Sequence, residues 1–380
     1  MGRRNILIAI VTVLVVVAAV VVVLRVSAAD PVDATTSDAP APTVGTALPT
    51  SFDRPAWRRP VPADAQVIVS DGYVAVRERT GVRVYDLPTG KERWHHLDDD
   101  REVIDIAAAD GRLTAVSDGE VRLFDLATGQ VRATVSVPAG DRTAVPYGDL
   151  LLVLSDGEAA DPYRMYSASG RQLWSRFAES CIGGTQAYFG AGALVIASYC
   201  GPVLHVAGVH PDDGNVLWDA ELPDTTTPGL GSTPTATRLP TDAPLLAFSQ
   251  GKLTPIEPAT GTRLTGAPVP DGAQPTSVPN GWCSYEPTPE SLVRCVDMRT
   301  GTAPAQPYPV AHNDLDDPRV EILSGAAGIA VAVTTDGTLT VGKVGGRPVE
   351  VMSDAAEPST VYYGPGALVV TDRDELIVYS

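Results

Sequence analysis

The stretch Val84–Trp94, VYDLPTGKERW, is typical of a β-strand, a tight Thr-Gly turn and a second strand that ends in a large aromatic residue. Its first half recurs in Leu123–Gly129, Ile256–Gly261 and Val296–Gly301. Looser copies, with a glycine and a later tryptophan, are Met165–Trp174 and Val209–Trp218. Self-similarity of this kind indicates a repeat architecture, which has to be identified before any single motif is interpreted.

The turn glycines define the period of the repeat. They are Gly90, Gly129, Gly170, Gly214, Gly261, Gly301 and Gly345, with spacings of 39, 41, 44, 47, 40 and 44 residues. This period matches the ~40–50 residues of a four-stranded propeller blade. Asp-Gly pairs such as Asp110-Gly111 and Asp118-Gly119 tolerate the positive φ of turns between antiparallel strands. The sequence therefore predicts an all-β fold, a β-propeller.

The ends of the chain bear on the number of blades. Seven turn glycines mark seven blades, and three more strands follow the seventh, at Thr360–Tyr363, Ala367–Thr371 and Glu375–Tyr379. A blade made of these strands alone would leave an unpaired edge. Arg54–Arg59 carries Trp57 where other outer strands carry a tryptophan, so we expect it to fill this place and close the ring. The prediction is eight blades, with seven as the alternative if the last hairpin pairs differently.

The spacing of Asp86, Thr89, Gly90 and Trp94 resembles the docking repeat of the pyrroloquinoline quinone (PQQ)-like propeller superfamily. The resemblance covers roughly residues 52–380. It implies eight blades and a docking role for the tryptophans of the outer strands, which are Trp57, Trp94, Trp174 and Trp218. Three repeats carry another residue at this position, namely Ala133, Thr265 and Ala305, so docking is expected to be uneven.

The N-terminal segment predicts a membrane anchor. Ile6–Leu24 is apolar except for Thr12, and its length nearly crosses a bilayer core of ~30 Å. Arg3 and Arg4 precede it and favour a cytoplasmic N-terminus. We therefore expect residues 1–4 to be cytoplasmic, residues 5–26 to form a single transmembrane signal-anchor, and the rest to lie outside the membrane. The alternative is a signal peptide that is cleaved near Ser27–Ala29.

Residues 27–51 read as a linker rich in Pro, Ala and Thr. They contain almost no large apolar residue, so burial is not expected to offset their ordering entropy. We expect them to space the propeller, residues 52–380, away from the bilayer.

Four cysteines fit this arrangement. Cys181 precedes the first strand of the fourth repeat and Cys200 ends the second, while Cys283 and Cys295 flank a loop in the sixth repeat. Of the three possible pairings we expect the local one, Cys181–Cys200 and Cys283–Cys295. An extracytoplasmic compartment permits disulfides, and buried thiols are the alternative.

Other polar groups give weaker signals. Gly337–Lys343 matches most of a phosphate-binding G-x-x-x-x-G-K, but its alternating pattern is that of a hairpin strand. The histidines are interpreted as surface or turn residues and the acidic groups as solvated turns; they are His95, His96, His205, His210 and His312, and Asp98–Asp100, Asp212–Asp213 and Asp314–Asp317. The sequence predicts no catalytic, cofactor-binding or metal-binding residue.

The expected function is therefore a non-catalytic scaffold. A net charge of −18 argues against nucleic acid as a partner. The PQQ-like superfamily includes quinoprotein alcohol dehydrogenases and the scaffold lipoprotein of the outer-membrane barrel-assembly machinery, and the chain resembles the second in size and in its lack of catalytic machinery. We expect a monomeric propeller in the cell envelope that binds protein partners. The alternatives are a ligand-binding or sensory propeller that uses the central funnel, and a PQQ-dependent oxidoreductase.

Overall fold

The computed structural model describes residues 32–380 except for 46–48, 50, 140, 156–162, 177–184, 191, 201–202, 224–234, 240–241, 250–251, 265–266, 269–272, 288–291, 298–307, 311–318, 326–327, 344–348, 354 and 356–359. The predicted cytoplasmic N-terminus (1–4) and transmembrane anchor (5–26) lie outside the described residues. In the part of the chain that is described, no helix has the length and apolar character needed to cross a bilayer.

The described residues form two N-terminal strands followed by repeated groups of strands. The N-terminal strands are β1 (Asp33–Ala34) and β2 (Trp57–Pro60). The first and second groups are β3 (Val67–Ser70), β4 (Tyr73–Glu78), β5 (Gly81–Asp86) and β6 (Glu92–Leu97), then β7 (Val103–Ala109), β8 (Arg112–Ser117), β9 (Glu120–Asp125) and β10 (Val131–Ser136). The third and fourth are β11 (Asp141–Tyr147), β12 (Leu150–Ser155), β13 (Tyr163–Ser167) and β14 (Gln172–Arg176), then β15 (Thr185–Gly190), β16 (Ala193–Cys200), β17 (Val203–Val209) and β18 (Val216–Pro223).

The same grouping continues to the C-terminus. The fifth and sixth groups are β19 (Thr235–Arg238), β20 (Leu245–Ser249), β21 (Lys252–Ile256) and β22 (Ala267–Pro268), then β23 (Gln274–Val278), β24 (Gly281–Glu286), β25 (Leu292–Asp297) and β26 (Tyr308–Pro309). The seventh and eighth are β27 (Arg319–Gly325), β28 (Gly328–Thr335), β29 (Thr338–Lys343) and β30 (Val349–Met352), then β31 (Thr360–Gly364), β32 (Ala367–Asp372) and β33 (Glu375–Tyr379).

Strands of one group lie side by side as an antiparallel sheet, except that β19 of the fifth group joins the fourth sheet. The first sheet has the order β1-β6-β5-β4-β3, so β1 is added outside the outer strand β6. The eighth sheet has the order β2-β33-β32-β31, and its outer strand comes from the N-terminal part of the chain. Trp57 lies opposite Val378 in this sheet. The chain is an all-β propeller.

The described strands form eight sheets, but the boundary between the fourth and fifth is shared. β19, which leads into β20, pairs in parallel with β15 of the fourth sheet. The strand pairing alone therefore does not show whether the fourth and fifth sheets are two separate blades. The number of blades, eight with seven as the alternative, stays a prediction.

The core consists of apolar layers between successive sheets. Because neighbouring side chains on a strand point to opposite faces, one strand contributes to two layers. In β12, Leu152 and Leu154 pack toward the fourth sheet, whereas Leu151 and Val153 pack toward the second. This double burial explains why the middle strands are nearly continuous apolar runs, while an outer strand such as β10 is mostly exposed.

Candidate functional site

Each tryptophan of the repeat crosses to the following sheet. The indole nitrogen donates a hydrogen bond to a main-chain oxygen at the next Thr-Gly-type turn. The pairs are Trp57–Leu87 (2.8 Å), Trp94–Leu126 (2.8 Å), Trp174–Pro211 (2.7 Å) and Trp218–Pro258 (2.9 Å). A buried indole that is also hydrogen-bonded combines apolar contact with directional positioning.

The turn glycines provide the space that these indoles occupy. Gly129 has φ +74°, and a Cβ added there would lie 2.6 Å from Cδ2 of Trp94. Glycine is therefore needed for the backbone conformation and for the close approach of the ring. Gly90, Gly214 and Gly261 meet the other three indoles in the same way. Gly170, which follows the repeat with Ala133, has no such contact, and Gly301 and Gly345 lie outside the described residues.

One cysteine pair is visible as a disulfide. Cys283 and Cys295 are bonded and lie directly opposite each other on β24 and β25, with a Cα–Cα distance of 3.9 Å. They lie within the strands, whereas the sequence placed them at the edges of a loop. Cys181 is outside the described residues, so the Cys181–Cys200 pair stays a prediction.

Residues 32–45, named here the N-terminal strap, are built onto the propeller. Asp33 and Ala34 pair with β6, and the Thr35 amide donates to the oxygen of His95 (2.9 Å). The Ser37 amide donates to Thr128 in the second sheet (3.0 Å). Farther along, Val44 packs against the apolar layer between the eighth and first sheets. The strap thus differs from the unstructured spacer that its composition predicted.

Arg93 explains why the strap is ordered. Its guanidinium donates to the main-chain oxygens of Ala39 and Pro40, the latter at 2.9 Å. It also donates to the oxygen of Ala127 (3.0 Å) and pairs with Asp86 (3.3 Å). The strap needs few apolar side chains because its carbonyl groups are bound by a nearly buried cation, and hydrogen bonds to charged groups are strong.

His95 lies where the strap meets β6. Its ring contacts Glu92 through Nδ1 (2.6 Å) and Asp33 of the strap through Nε2 (3.2 Å). Burial alone would lower the pKa of His95, but these two carboxylates outweigh it and raise the pKa above its ordinary value. Arg83, opposite His95 on β5, pairs with Glu92 (3.2 Å). His95 is therefore a structural contact of the strap and not a surface histidine.

A charged cluster lies between the first two sheets near the C-terminal end of β6. Arg122 contacts Asp98 (2.9 Å), Glu120 (2.7 Å) and Nε2 of His96 (2.5 Å), and Arg101 pairs with Glu120 (2.6 Å). Burial, helped by Arg122, lowers the pKa of His96, which suits a neutral ring that accepts from the guanidinium. The cluster borders a cavity of about 10 Å³, room for about one water molecule.

The comparisons with known proteins agree with this geometry. A family model described as "Outer membrane protein assembly factor BamB" matches residues 117–279, which span the second to sixth sheets. The propeller is PQQ-like. No curated protein matches the sequence.

Solved structures with a similar fold have low identity to this PQQ-like propeller. AztD from Citrobacter koseri is 14% identical, covers 75% of this chain and 87% of its own, and has a TM-score of 0.48. Hsv2 from Kluyveromyces lactis is 9% identical, with coverages of 80% and 95% and a TM-score of 0.46.

In the PQQ-like propeller, the other candidate residues from the sequence that the structure describes lie at separate places. In the phosphate-loop near-match Gly337–Lys343, residues Thr338–Lys343 form strand β29 of a hairpin. His205 and His210 lie at opposite ends of β17 and its turn, and Asp212 and Asp213 are exposed beside His210. Among the residues that the structure describes, no three His, Cys, Asp or Glu side chains converge as a metal site. His312 and Asp314–Asp317 lie outside those residues.

Sequence reasoning missed several polar residues that join the sheets. Asp98 was interpreted as part of a solvated turn, but its side chain is 12% exposed and paired with Arg122. Asp105 on β7 accepts from Gln66 of the first sheet (2.8 Å), and burial raises its pKa. Arg93 lies at a β-bulge directly before Trp94. An arginine at this bulge position is the one feature of the sequence that could have indicated its role in binding the strap.

Proposed function

We propose that the chain is a membrane-anchored, extracytoplasmic scaffold of the cell envelope that binds protein partners and does no chemistry of its own. The observation that carries the proposal is the match of residues 117–279 to the BamB family model, whose description names an assembly factor. A propeller suits such a role because sheets locked by tryptophan and disulfide contacts hold their connecting loops in fixed positions.

Two features support the placement outside the membrane. The apolar run Ile6–Leu24 has the length of a transmembrane helix and follows two arginines. The Cys283–Cys295 disulfide fits an oxidising compartment. The strap starts a few residues beyond the anchor, so we propose that it holds the first sheet close to the bilayer.

We also propose that the ring has eight blades. Apolar layers join the first sheet to the second, the seventh to the eighth, and the eighth back to the first. A smaller layer around Leu253 and Trp282 joins the fifth sheet to the sixth. An experimental structure of the full chain that shows seven blades would refute this count.

The partner-binding role is tested by photo-crosslinking in the native envelope. A photo-crosslinking amino acid at Asp99 or Asp118 probes the end of the propeller that carries the connections between sheets. The same residue at Ser37, in the strap, is the control. We expect one envelope protein to be captured from Asp99 or Asp118 in high yield; absence of capture from both positions argues against the scaffold role.

The two alternative functions are tested on the purified full chain. We expect PQQ with calcium to leave tryptophan fluorescence unchanged and to support no reduction of an electron-accepting dye by alcohols. Saturable quenching with dye reduction would establish the oxidoreductase, and quenching alone would establish a ligand site. A periplasm-dependent reporter fused after Ser380 is expected to be active, and an inactive fusion would refute the orientation.

A further inference from the structure

The outer strand of the fourth sheet, β18, differs from the other outer strands. It has 8 residues, whereas β10 has 6, β14 has 5, and β2 and β30 have 4. Two adjacent apolar side chains, Val216 (47% exposed) and Leu217 (46% exposed), point toward solvent at its start. Among the described strands, β18 ends its sheet. Long apolar edges of this kind are usually protected because they invite pairing with another chain.

The first sheet shows how such an edge is used in this protein. Strand β1 is added to the outer strand β6, and both main-chain groups of His95 face it: the oxygen accepts from the Thr35 amide, and the amide donates to Thr35 Oγ1 (3.1 Å). His95 directly follows the docking residue Trp94. An outer strand of this propeller therefore accepts a further strand at the residue after the tryptophan.

Asp219 occupies the same position on β18. It directly follows the docking residue Trp218 and lies opposite Ala207 of β17, as His95 lies opposite Arg83 of β5. Alternate residues of a strand turn their main-chain groups to the same side. The main-chain oxygen of Glu221, two residues after Asp219, accepts a hydrogen bond from Arg263 of the fifth sheet (2.9 Å). The main-chain groups of Asp219 and Glu221 therefore face outward from the sheet. The edge available to a partner is therefore centred on residues 216–220.

The charge at this position is reversed relative to the first sheet. On β6 the histidine meets Asp33 of the added strand. On β18 the position holds the exposed carboxylate of Asp219, followed by exposed Glu221. A strand added here would gain from a basic side chain where β1 carries an acidic one. A second copy of this chain is a poor occupant, because two such edges would place carboxylates against carboxylates and the chain carries a net charge of −18.

The bulge residue before the tryptophan position is apolar on two outer strands and an arginine on two others. It is Leu217 on β18 and Leu173 on β14, but Arg93 on β6 and Arg132 on β10. Leu173 is half-buried in the apolar layer between the third and fourth sheets, so the exposure of Leu217 sets β18 apart. Arg132 pairs with Asp125 (2.9 Å) and places a charge on the edge of β10. Charged side chains at sheet edges oppose strand addition. β10 is thus a matched control within the same molecule.

We propose that the outer edge of β18 binds an extended segment of a protein partner as an additional antiparallel strand, with a Lys or Arg of that segment facing Asp219 and an apolar residue against Val216 and Leu217. The proposal rests on the scaffold function and names the surface and partner chemistry for it. Main-chain hydrogen bonds supply affinity in such strand addition, and side-chain pairs supply specificity.

The test uses the full chain in its native envelope with a photo-crosslinking amino acid at Leu217. We expect capture of an envelope protein, with the crosslinked segment carrying a Lys or Arg within about two residues of the crosslink. The same amino acid at Val131 of β10, which is 47% exposed, is expected to capture nothing. Capture of a second copy of the chain, or of a segment without a basic residue, overturns the proposal.

Two further variants separate charge from backbone. Asp219→Lys reverses the charge, and Asp219→Pro removes an outward amide that makes no bond within the sheet. Each is expected to lower the Leu217 crosslink about tenfold or more. The controls Thr134→Lys and Thr134→Pro, at the equivalent position of β10, are expected to leave it unchanged.

The outcomes distinguish this proposal from the scaffold role. Capture from Asp99 or Asp118 without capture from Leu217 overturns strand addition and leaves the scaffold in place. Absence of capture from all three positions overturns both. A Leu217 crosslink that survives Asp219→Pro also overturns strand addition, because the added strand requires that amide.

Discussion

At the scale of single residues, the tryptophan and the turn glycine act as one unit. The indole of Trp94 is fully buried, stacks on Phe124 with a centroid distance of 5.5 Å and bonds to the Leu126 oxygen. It can reach that oxygen only because Gly129 has no side chain. Substitution of either residue therefore disturbs the same contact.

Gly129→Ala and Gly170→Ala are expected to differ although both glycines have a similar positive φ (+74° and +79°). Both variants pay the backbone strain of alanine in this region. Only Gly129→Ala also pushes against an indole, because the nearest atom to a Cβ at Gly170 lies 3.4 Å away. We expect Gly129→Ala to lower the free energy of unfolding by about 1–3 kcal/mol more than Gly170→Ala. Urea unfolding of the full chain measures both, and equal losses would contradict the steric role of Trp94.

His95 makes docking of the strap dependent on pH. Because its pKa is raised in the folded protein, protonated His95 stabilises docking most below the ordinary histidine value of 6.5. This contribution is lost as the pH rises through the raised value. We expect the hydrogen-exchange protection of the Thr35 amide to fall over this range, while that of the Val137 amide stays constant. In His95→Gln the Thr35 protection should be independent of pH; a fall that persists there would rule out His95 as the cause.

At the scale of elements, the strap depends on one side chain. Arg93 holds two strap carbonyls and one carbonyl of the second sheet. Lysine carries the same charge but lacks the planar fork that reaches several acceptors at once.

We therefore expect Arg93→Lys to weaken strap docking by about 1–3 kcal/mol and to leave the sheets folded. The measurement is hydrogen exchange at the Ser37 amide. The control, Arg132→Lys at the equivalent bulge of β10, should leave Ser37 protected. Protection of Ser37 that survives Arg93→Lys would show that β1 pairing alone holds the strap.

The strap also shows where sequence reasoning fails. Strands, turns and docking tryptophans can be predicted from local sequence patterns. Because these patterns recur in each repeat, together they predict the propeller fold. The order of residues 32–45 comes from carbonyl groups bound by Arg93 and from pairing with β6, and neither contact leaves a trace in composition. The same holds for Asp98, whose partner Arg122 lies 24 residues away on the next sheet.

At the scale of the whole molecule, closure depends on β2. Prediction of this strand from Trp57 agrees with the pairing of β2 and β33. The prediction was possible because Trp94, Trp174 and Trp218 mark the outer strands of three other sheets. The sequence could not show that β19 pairs with β15, because parallel pairing between neighbouring groups has no local signature.

Trp57→Ala is expected to open the ring. The variant removes an indole that bonds to Leu87 and covers Gly90, at a cost of about 2–4 kcal/mol. It also weakens the pairing of β2 with β33, so we expect the variant protein to self-associate through the exposed edge of β33. Urea unfolding and light scattering are the measurements. Trp174→Ala, between the third and fourth sheets, is the control. It should lower the free energy of unfolding without causing self-association. Self-association of both variants would contradict a special role for β2.

The closing pair has a consequence for the order in which the protein is made. Arg58 and Glu375, which pair across β2 and β33, are 317 positions apart. The strand that closes the ring, β2, is thus synthesised before all eight groups of strands, whereas its partner β33 belongs to the eighth group. A growing chain can stack its blades one after another, but it cannot close the ring until β33 has been synthesised. With the N-terminal anchor that we propose, β2 would lie beside the bilayer unpaired until β33 is synthesised.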